Sequence, residues 1–197
     1  KRVEDFKVLA EGDTIQIIKA LDGQLITEKI EAKAKIVDNC LVSDPERDFL
    51  KLVVINRYSE APMAVAFIHG FGLKSGALAS CIAHDSHNII AVGVDDHDIC
   101  QAVNAVIVSR GGIAVSSEGA IDVLPLPVAG IMSHDDGYKV AKSYSQIDAK
   151  AKKLGTSLHA PFMTLSFMAL LVIPSLKLSD KGLFDGAAFA FTSLYRK

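Results

Sequence analysis

The chain has 197 residues, of which 50% are apolar and 22% are charged, and its formal net charge is -2. This profile is typical of a globular domain that is long enough to bury a sizeable core. The sequence has no basic excess, which argues against nucleic acid or an anionic membrane as a partner.

The cysteines and the hydropathy of the chain further narrow the class of protein. The three cysteines, Cys40, Cys81 and Cys100, are odd in number and form no C-x-x-C pair. This predicts reduced, buried thiols of a cytoplasmic protein. No apolar run approaches the roughly 18 residues that a membrane-spanning helix needs. The chain starts with Lys1 rather than Met, so we expect a fragment or a processed product.

The N-terminal part of the chain is predicted to form strands after an extended, charged lead-in over residues 1–12. Thr14–Ala20 is strand-like, and Asp22-Gly23 indicates a hairpin because Gly tolerates the positive φ of such turns. Between Ile26 and Ile36, apolar and charged side chains alternate, which predicts one long strand with one solvent-exposed face. Two further strands are predicted after a loop at Asp44-Pro45, namely Leu50–Asn56 and Met63–Ile68.

The most distinctive stretch is a polar turn between two apolar runs, Ala77–Ala83 and Ile89–Val94. Such runs can pair as strands across a short connection, which leaves the polar residues at one end of a sheet. A turn that needs only polarity would more simply use Gly, Asn and Asp. The candidate catalytic residues are therefore the five of this turn, His84, Asp85, Ser86, His87 and Asn88, and the alternative is a purely structural polar turn.

Three other interpretations of this region are weaker. A G-x-G-x-x-x-G pattern over residues 70–76 is one residue longer than the dinucleotide fingerprint and lacks a strand–turn–helix context. The two histidines and Asp85 could ligate a metal, but three ligands in one turn rarely close a structural zinc site. Ser86 lies outside any G-x-S-x-G motif, and members of a catalytic triad normally come from separate segments.

Two helices are predicted after the turn. Asp95 or Asp96 can cap the first, which we expect to end at Gly111-Gly112 with a left-handed cap. A hairpin around residues 117–119 and an extended, proline-containing segment over residues 124–130 follow. Ser133 as N-cap and Asp136 as N3 resemble a capping box for the second helix, which should end before Gly155.

The C-terminal part is more ambiguous. Phe162–Ile173 is long enough for a buried helix, but its β-branched and aromatic residues favour a buried strand. Lys181–Asp185 is predicted to be a turn packed by two apolar residues, and residues 187–197 form a tail. The order of elements predicts a single α+β domain over residues 1–197, with mostly antiparallel β-sheets and flanking helices, and it allows four layers.

Five stretches of the sequence together resemble the C-terminal domain of bacterial adenine deaminase. They are DPERDFLKLVVINRY, GFGLKSGALAS, AHDSHNIIAVG, LPLPVAGIMS and PFMTLSFMALLVIPSLKLSDKGLFD. The match runs from about Glu4 to Asp185 and includes the HDSHN motif at His84–Asn88. The chain departs from the family at Leu171, where a proline is expected before Val172.

The resemblance implies a part of a hydrolase that converts adenine and water to hypoxanthine and ammonia. Enzymes of this kind carry an amidohydrolase barrel with a manganese- or iron-type metal centre. This chain has no H-x-H pair among its six histidines, and it is shorter than the typical (β/α)8 barrel of about 250 residues. We therefore expect no (β/α)8 barrel and no metal or other cofactor in this chain.

The resemblance also implies the partners of the chain. They are the barrel domain of the same enzyme, adenine as the substrate of the whole enzyme, and further copies in a homo-oligomer. Under this interpretation, the turn His84–Asn88 completes or covers the active site of the barrel. The alternative is a structural or oligomerisation module that makes no active-site contact.

Overall fold

The computed structural model describes residues 1–196, which contain three α-helices, one 3-10 helix at Val3–Phe6, and fourteen strands. The helices are α1 (Asp96–Val108), α2 (Gly137–Lys153) and α3 (Pro161–Phe167). The strands are β1 (Val8–Leu9), β2 (Thr14–Ala20), β3 (Thr27–Lys33), β4 (Lys35–Val37), β5 (Cys40–Val42), β6 (Leu50–Ile55), β7 (Ala64–His69), β8 (Ala77–Ser80), β9 (Ile89–Gly93), β10 (Gly112–Ser117), β11 (Ala120–Pro125), β12 (Leu176–Ser179), β13 (Gly182–Asp185) and β14 (Ala190–Phe191).

A central sheet of eight strands organises the fold, in the order β11-β10-β8-β9-β6-β7-β2-β3. Its neighbouring strands are antiparallel except for the parallel pair β2 and β7. Within residues 1–196 the edge strands β11 and β3 do not pair with each other, so the sheet is open and forms no (β/α)8 barrel. Two smaller sheets have the orders β1-β5-β4 and β12-β13-β14.

Both faces of the central sheet are covered, because successive side chains of a strand point to opposite faces. Leu52 and Val54 of β6 belong to a core shared with α2, α3 and the sheet β12-β13-β14. Val53 and Ile55 belong to a core shared with α1. The sheet β1-β5-β4 packs on the same side as α1, through Leu41. The α+β class is confirmed, and the elements form three layers rather than four.

The predicted long strand Ile26–Ile36 is two strands that belong to different sheets. The break falls at Ala34, whose backbone N–H donates to the carbonyl of Asp13 at 2.8 Å. β4 then pairs with β5 across a turn in which Asp38 and Asn39 both have positive φ, 48° and 59°. The alternation of apolar and charged residues continues through the break, so periodicity alone could not reveal it.

The observed helix boundaries agree with those predicted from the sequence at some ends and differ from them at others. Asp95 caps α1, since its carboxylate accepts from the N–H of Asp98 at 2.8 Å. After α1, Arg110 already has a positive φ of 57°, and the two predicted glycines, Gly111 and Gly112, follow with positive φ of 130° and 145°. Asp136 is the N-cap of α2 and not its N3 residue. Ser133 instead accepts from the N–H of Asp135 at 3.0 Å.

Three further predictions for the chain termini need correction. Of the two alternatives for Phe162–Ile173, the favoured strand is wrong, because α3 covers its first part as far as Phe167, and Pro161 occupies the first turn, where proline suits a helix. Residues 182–185, predicted as part of a turn, form β13, with Leu183 and Phe184 buried as expected. The lead-in contains a 3-10 helix and β1, and the tail contains β14. Lys197 lies outside the described residues, and a single domain over residues 1–197 stays a prediction.

Candidate functional site

The polar turn over residues 84–88 lies at one end of the central sheet. β8 and β9 pair in antiparallel register from Ala77↔Gly93 to Ser80↔Ile90, as the sequence predicts. Ile89 also pairs with Ile55, so the turn adjoins the carboxyl end of β6. We call this part of the molecule the turn end of the sheet.

The five predicted residues differ in their exposure. Asp85 and Ser86 are exposed, the two histidines are half-buried, and Asn88 is buried. The ring of His84 stacks on Phe167 of α3, with centroids 4.8 Å apart and an interplanar angle of 21°. The backbone N–H of His84 donates to the carbonyl of Ser166 at 3.0 Å. His84 therefore anchors the turn on α3, and the exposed tip consists of Asp85 and Ser86.

His87 combines an unusual backbone with an unpaired ring nitrogen. Its φ is 52°, a region that non-glycine residues rarely adopt, and its N–H donates to the carbonyl of Ala83 at 2.6 Å. Nδ1 of His87 is buried and has no hydrogen-bond partner within residues 1–196. A buried polar atom without a partner costs free energy, so such an atom calls for a specific explanation.

The carboxyl end of β6 holds the second half of the turn. The backbone N–H of Arg57 donates to Oδ1 of Asn88 at 3.2 Å, and the Tyr58 hydroxyl donates to the carbonyl of Ser86 at 2.9 Å. The guanidinium of Arg57 lies over the Tyr58 ring, 4.9 Å from its centroid. Asn88 thus holds the turn against Arg57, just after the end of β6.

Asp85 lies at the exposed tip of the turn. Its carboxylate has no hydrogen bond and no ion pair within residues 1–196. Ser86 Oγ accepts only from the N–H of Asn88, at 3.4 Å, so the turn contains no serine–histidine hydrogen bond in the described residues. No group of three His, Cys, Asp or Glu side chains in the described part of the chain could hold a metal ion.

A pocket of about 370 Å³ opens at the turn end, between the carboxyl end of β6 and the C-terminal end of α1. Its walls include Arg57, Arg110 and Cys81. Burial raises the pKa of the Cys81 thiol, and its sulfur accepts from the N–H of Gly112 at 3.0 Å. This pocket could not be predicted from the sequence, because its residues come from segments far apart in the chain and share no motif.

A buried lysine contacts the C-terminal end of α3. Nζ of Lys177 donates to the carbonyls of Leu25 at 2.7 Å and Phe167 at 3.0 Å. Burial lowers the pKa of Lys177 from 10.5 to about 8. Since Phe167 is the stacking partner of His84, Lys177 helps to fix the surface on which the turn rests.

Next to α3, a histidine and a carboxylate form a pair on the surface. His159 contacts Asp22 through Nδ1, and its backbone N–H donates to the same carboxylate at 3.0 Å. The hydrogen bond from the His159 side chain lowers the pKa of Asp22. This imidazole is exposed, so the pair is an electrostatic contact in water and contributes little to stability. The hairpin signal at Asp22-Gly23 gave no indication of it.

Fold and site define the class of the protein, an α+β domain with a polar turn at one end of an open, mixed sheet. No helix within residues 1–196 is both long and apolar enough to cross a membrane. Residues 24–190 match the family model described as adenine deaminase C-terminal domain. The chain belongs to this family.

Curated relatives agree with this assignment. The chain is 55% identical over 181 residues, 92% of its length, to an adenine deaminase of Methanosarcina barkeri. It is 54% identical over 198 residues, 100% of its length, to an adenine deaminase of Sulfurovum sp., and 52% identical over 193 residues, 97% of its length, to one of Salinibacter ruber. The matches cover 33%, 36% and 35% of those relatives, so the chain spans about a third of their length.

Proposed function

We propose that the chain is the C-terminal domain of a metal-dependent adenine deaminase, which hydrolyses adenine to hypoxanthine and ammonia. The names of the relatives support this activity, and their greater length leaves room for an amidohydrolase barrel. A manganese or iron centre belongs to that barrel in this proposal. The whole enzyme would serve purine salvage or adenine catabolism in the cytoplasm, which the three free cysteines favour.

We further propose that residues 84–88 complete or cover the active site of the barrel. The observation that carries this proposal is the buried, unpartnered Nδ1 of His87 beside the exposed tip formed by Asp85 and Ser86. A group of the barrel or the substrate can supply the missing hydrogen-bond partner of His87. A turn placed over an active site can then exclude water, position the purine or transfer a proton.

The second candidate function is a structural or oligomerisation module, and specific contacts favour it. His84 stacks on Phe167, and Asn88 accepts from the N–H of Arg57, so both ends of the turn are occupied by contacts within the domain. In this case the partner of His87 is another surface of the enzyme, either the barrel or a second copy in a homo-oligomer, away from the substrate.

Replacement of His87 by Asn in the full-length enzyme separates the two functions. Asn tolerates the positive φ at this position better than Ala does, so the backbone can keep its path. We expect turnover of adenine to fall by more than about tenfold, the size of an acid–base or positioning contribution. The melting temperature should change by no more than about 2 °C, since the change removes no large apolar group.

The matched control is His97→Asn, because His97 is an exposed residue in the first turn of α1, remote from the turn. It should leave both turnover and melting temperature unchanged. Full turnover in His87→Asn, or its unfolding, would favour the structural module. Asp85→Ala should lower turnover without loss of stability, since its carboxylate has no partner within residues 1–196.

The 197-residue chain alone should not deaminate adenine. The activated water for such chemistry needs a metal ligand set, which we assign to the barrel. The measurement is hypoxanthine formation by the purified, metal-supplemented chain beside the full-length enzyme at equal molar concentration. A rate near that of the full-length enzyme would contradict the assignment of the reaction to the barrel.

A further inference from the structure

We infer that the pocket at the turn end is a binding site for a small organic oxyanion, a phosphate or carboxylate with a flat, apolar body, held by Arg57 and Arg110. Adenine is uncharged, so this ligand differs from the substrate in the proposed function. The inference does not depend on that function.

The walls of the pocket combine positive charge with apolar surface. Its volume of about 370 Å³ lies in the range of small-molecule sites in proteins, roughly 300–1,000 Å³. The apolar lining consists of Ile55, Ile89, Val106 and Ile107, and the polar lining consists of Lys1, Asn56, Arg57 and Arg110. No Asp or Glu is among the lining residues. The pocket therefore collects basic groups without a carboxylate to neutralise them.

Arg110 occupies a backbone position that favours glycine. Its φ is 57°, it directly follows the C-cap Ser109, and glycine is the residue most common at such positions. The Arg110 side chain has no hydrogen bond and no ion pair within residues 1–196. The fold thus accepts a less favourable residue there, and the result is a guanidinium at the rim of the pocket.

Arg57 is fixed in place by its surroundings. Its Nη2 donates to the carbonyl of Ala129 at 2.6 Å. A Cβ at Gly130 would lie 1.8 Å from Nη1, so a larger residue there would displace this guanidinium from its present position. Nε of Arg57 is buried without a hydrogen-bond partner in the described part of the chain. The cation is ordered before any ligand arrives, which reduces the entropy lost on binding.

These two arginines suit an oxyanion with a flat body. A guanidinium presents parallel N–H donors to two oxygens of a phosphate or carboxylate, and it also stacks on planar groups. The four apolar side chains of the lining can bury the uncharged part of such a ligand. Because one side of the site is open to solvent, its affinity should fall as salt screens the charges.

Isothermal titration of the 197-residue chain with four probes tests the inference. The probes are AMP, adenosine, inorganic phosphate and benzoate, so that AMP and adenosine differ only in the phosphate, and benzoate supplies a flat carboxylate. We expect AMP or benzoate to bind at least tenfold more tightly than adenosine and inorganic phosphate. Preference between AMP and benzoate identifies the charged group as phosphate or carboxylate. No binding of any probe at millimolar concentration would overturn the inference.

Two variants with the same loss of charge locate the binding. Arg110→Met should weaken the binding of the preferred probe at least tenfold. Arg196→Met is the matched control, because Arg196 pairs with Glu31 and lines none of this pocket, and it should bind as the unchanged chain does. Equal weakening in both variants would mean only non-specific attraction, and unchanged binding in Arg110→Met would exclude the pocket.

Thermal melting distinguishes a variant that has lost binding from a variant that has failed to fold. The preferred probe should raise the melting temperature of the unchanged chain and of Arg196→Met, but not that of Arg110→Met. Arg110→Lys keeps the charge and loses the paired donors, so its binding should be intermediate. Since no step measures adenine turnover, a failure here leaves the proposed function untouched, and the reverse also holds.

Discussion

The two ends of the central sheet differ in how their charged groups are partnered. At the end where β6 begins, the carboxylate of Asp48 accepts from the backbone N–H groups of Gly70 and Gly72, both at 2.7 Å. The buried ammonium of Lys51 donates to Asp96 at 2.5 Å and to the carbonyl of Phe6 at 2.9 Å. We call this the paired end.

The turn end has the opposite character. Within residues 1–196, the side chains of Asp85 and Arg110 have no partner, and Nδ1 of His87 and Nε of Arg57 are buried without a hydrogen bond. The paired end has one such atom, Nδ1 of His69, but it lies 3.6 Å from the Asp48 carboxylate. Folding of the domain is sufficient to explain the contacts of the paired end. In the proposed function, a further partner would contact the groups of the turn end.

The largest effect should come from Asp96→Ala at the paired end. The ammonium of Lys51 is almost fully buried, so removal of Asp96 leaves it with one carbonyl acceptor. We expect the free energy of unfolding to fall by about 3 kcal/mol, because an unpaired buried charge is costly. For a chain of this size, that loss lowers the melting temperature by roughly 6–12 °C.

The double variant Lys51→Met, Asp96→Ala sharpens this test. A buried ion pair replaced by an apolar side chain is often neutral for stability, so the second change should restore most of the lost stability. Adenine turnover of the full-length double variant, measured below its melting temperature, should stay unchanged, since this end faces no proposed site. A loss of turnover without a loss of stability would break the distinction between the two ends.

The second largest expected effect is a pH dependence of stability, which comes from Lys177, the buried lysine that contacts α3. Lys177 has a pKa of about 8 in the folded chain and 10.5 ordinarily, because it is buried. Between these two values the unfolded chain binds a proton that the folded chain has released, so this group makes the protein more stable as pH rises from 8 to 10.5. Below pH 8 the cost of the buried ammonium is fully present.

Lys177→Met should remove this contribution. Denaturant unfolding at pH 7.5 and pH 10 gives the change in the free energy of unfolding between the two pH values. The contribution of Lys177 is the difference in this change between the unchanged chain and the variant. Lys181→Met is a suitable control, since Lys181 is exposed on the adjacent hairpin. If the variant and the unchanged chain show the same dependence on pH, Lys177 is charged in the folded protein up to its ordinary pKa.

The sequence predicted the strands of the central sheet around the turn, and the position of the turn itself, because both features depend on local pattern. The runs that become β6 and β9 are wholly buried strands, and apolar runs of that length identify such strands well. The sequence could not show which turn residues are exposed. That depends on Phe167, which lies 83 positions from His84 in a segment for which the sequence left helix and strand open and favoured the strand.

Arg57 and Arg110 were missed for a related reason. Each is an isolated arginine in the sequence, and only the antiparallel return of α1 to the turn end brings both to one pocket. Arg110 also lies one position before the glycines that were expected to end the helix. The left-handed backbone of Arg110 is visible only in the structure.

The third effect is a small gain in stability at the turn end. Arg110→Gly should relieve the left-handed backbone at φ of 57° and raise the free energy of unfolding by about 0.5–1 kcal/mol. Thermal melting should show a rise of roughly 1–4 °C. The control is Arg110→Ala, which removes the same charge but keeps the strain and should not be stabilised. A lower melting temperature for Arg110→Gly would show that the arginine serves the fold.

The smallest effect, no measurable shift, is expected when chelator or reductant is added to the chain. Cys40, Cys81 and Cys100 are free, and the described residues contain no metal-ligating group of three side chains. Stability therefore rests on the apolar cores on both faces of the central sheet. The melting temperature with EDTA or dithiothreitol should equal that of the untreated chain within about 1 °C. A loss of several degrees with EDTA that disappears in His87→Asn would instead place a metal at the turn, and it would supply the missing partner of Nδ1 from within this domain.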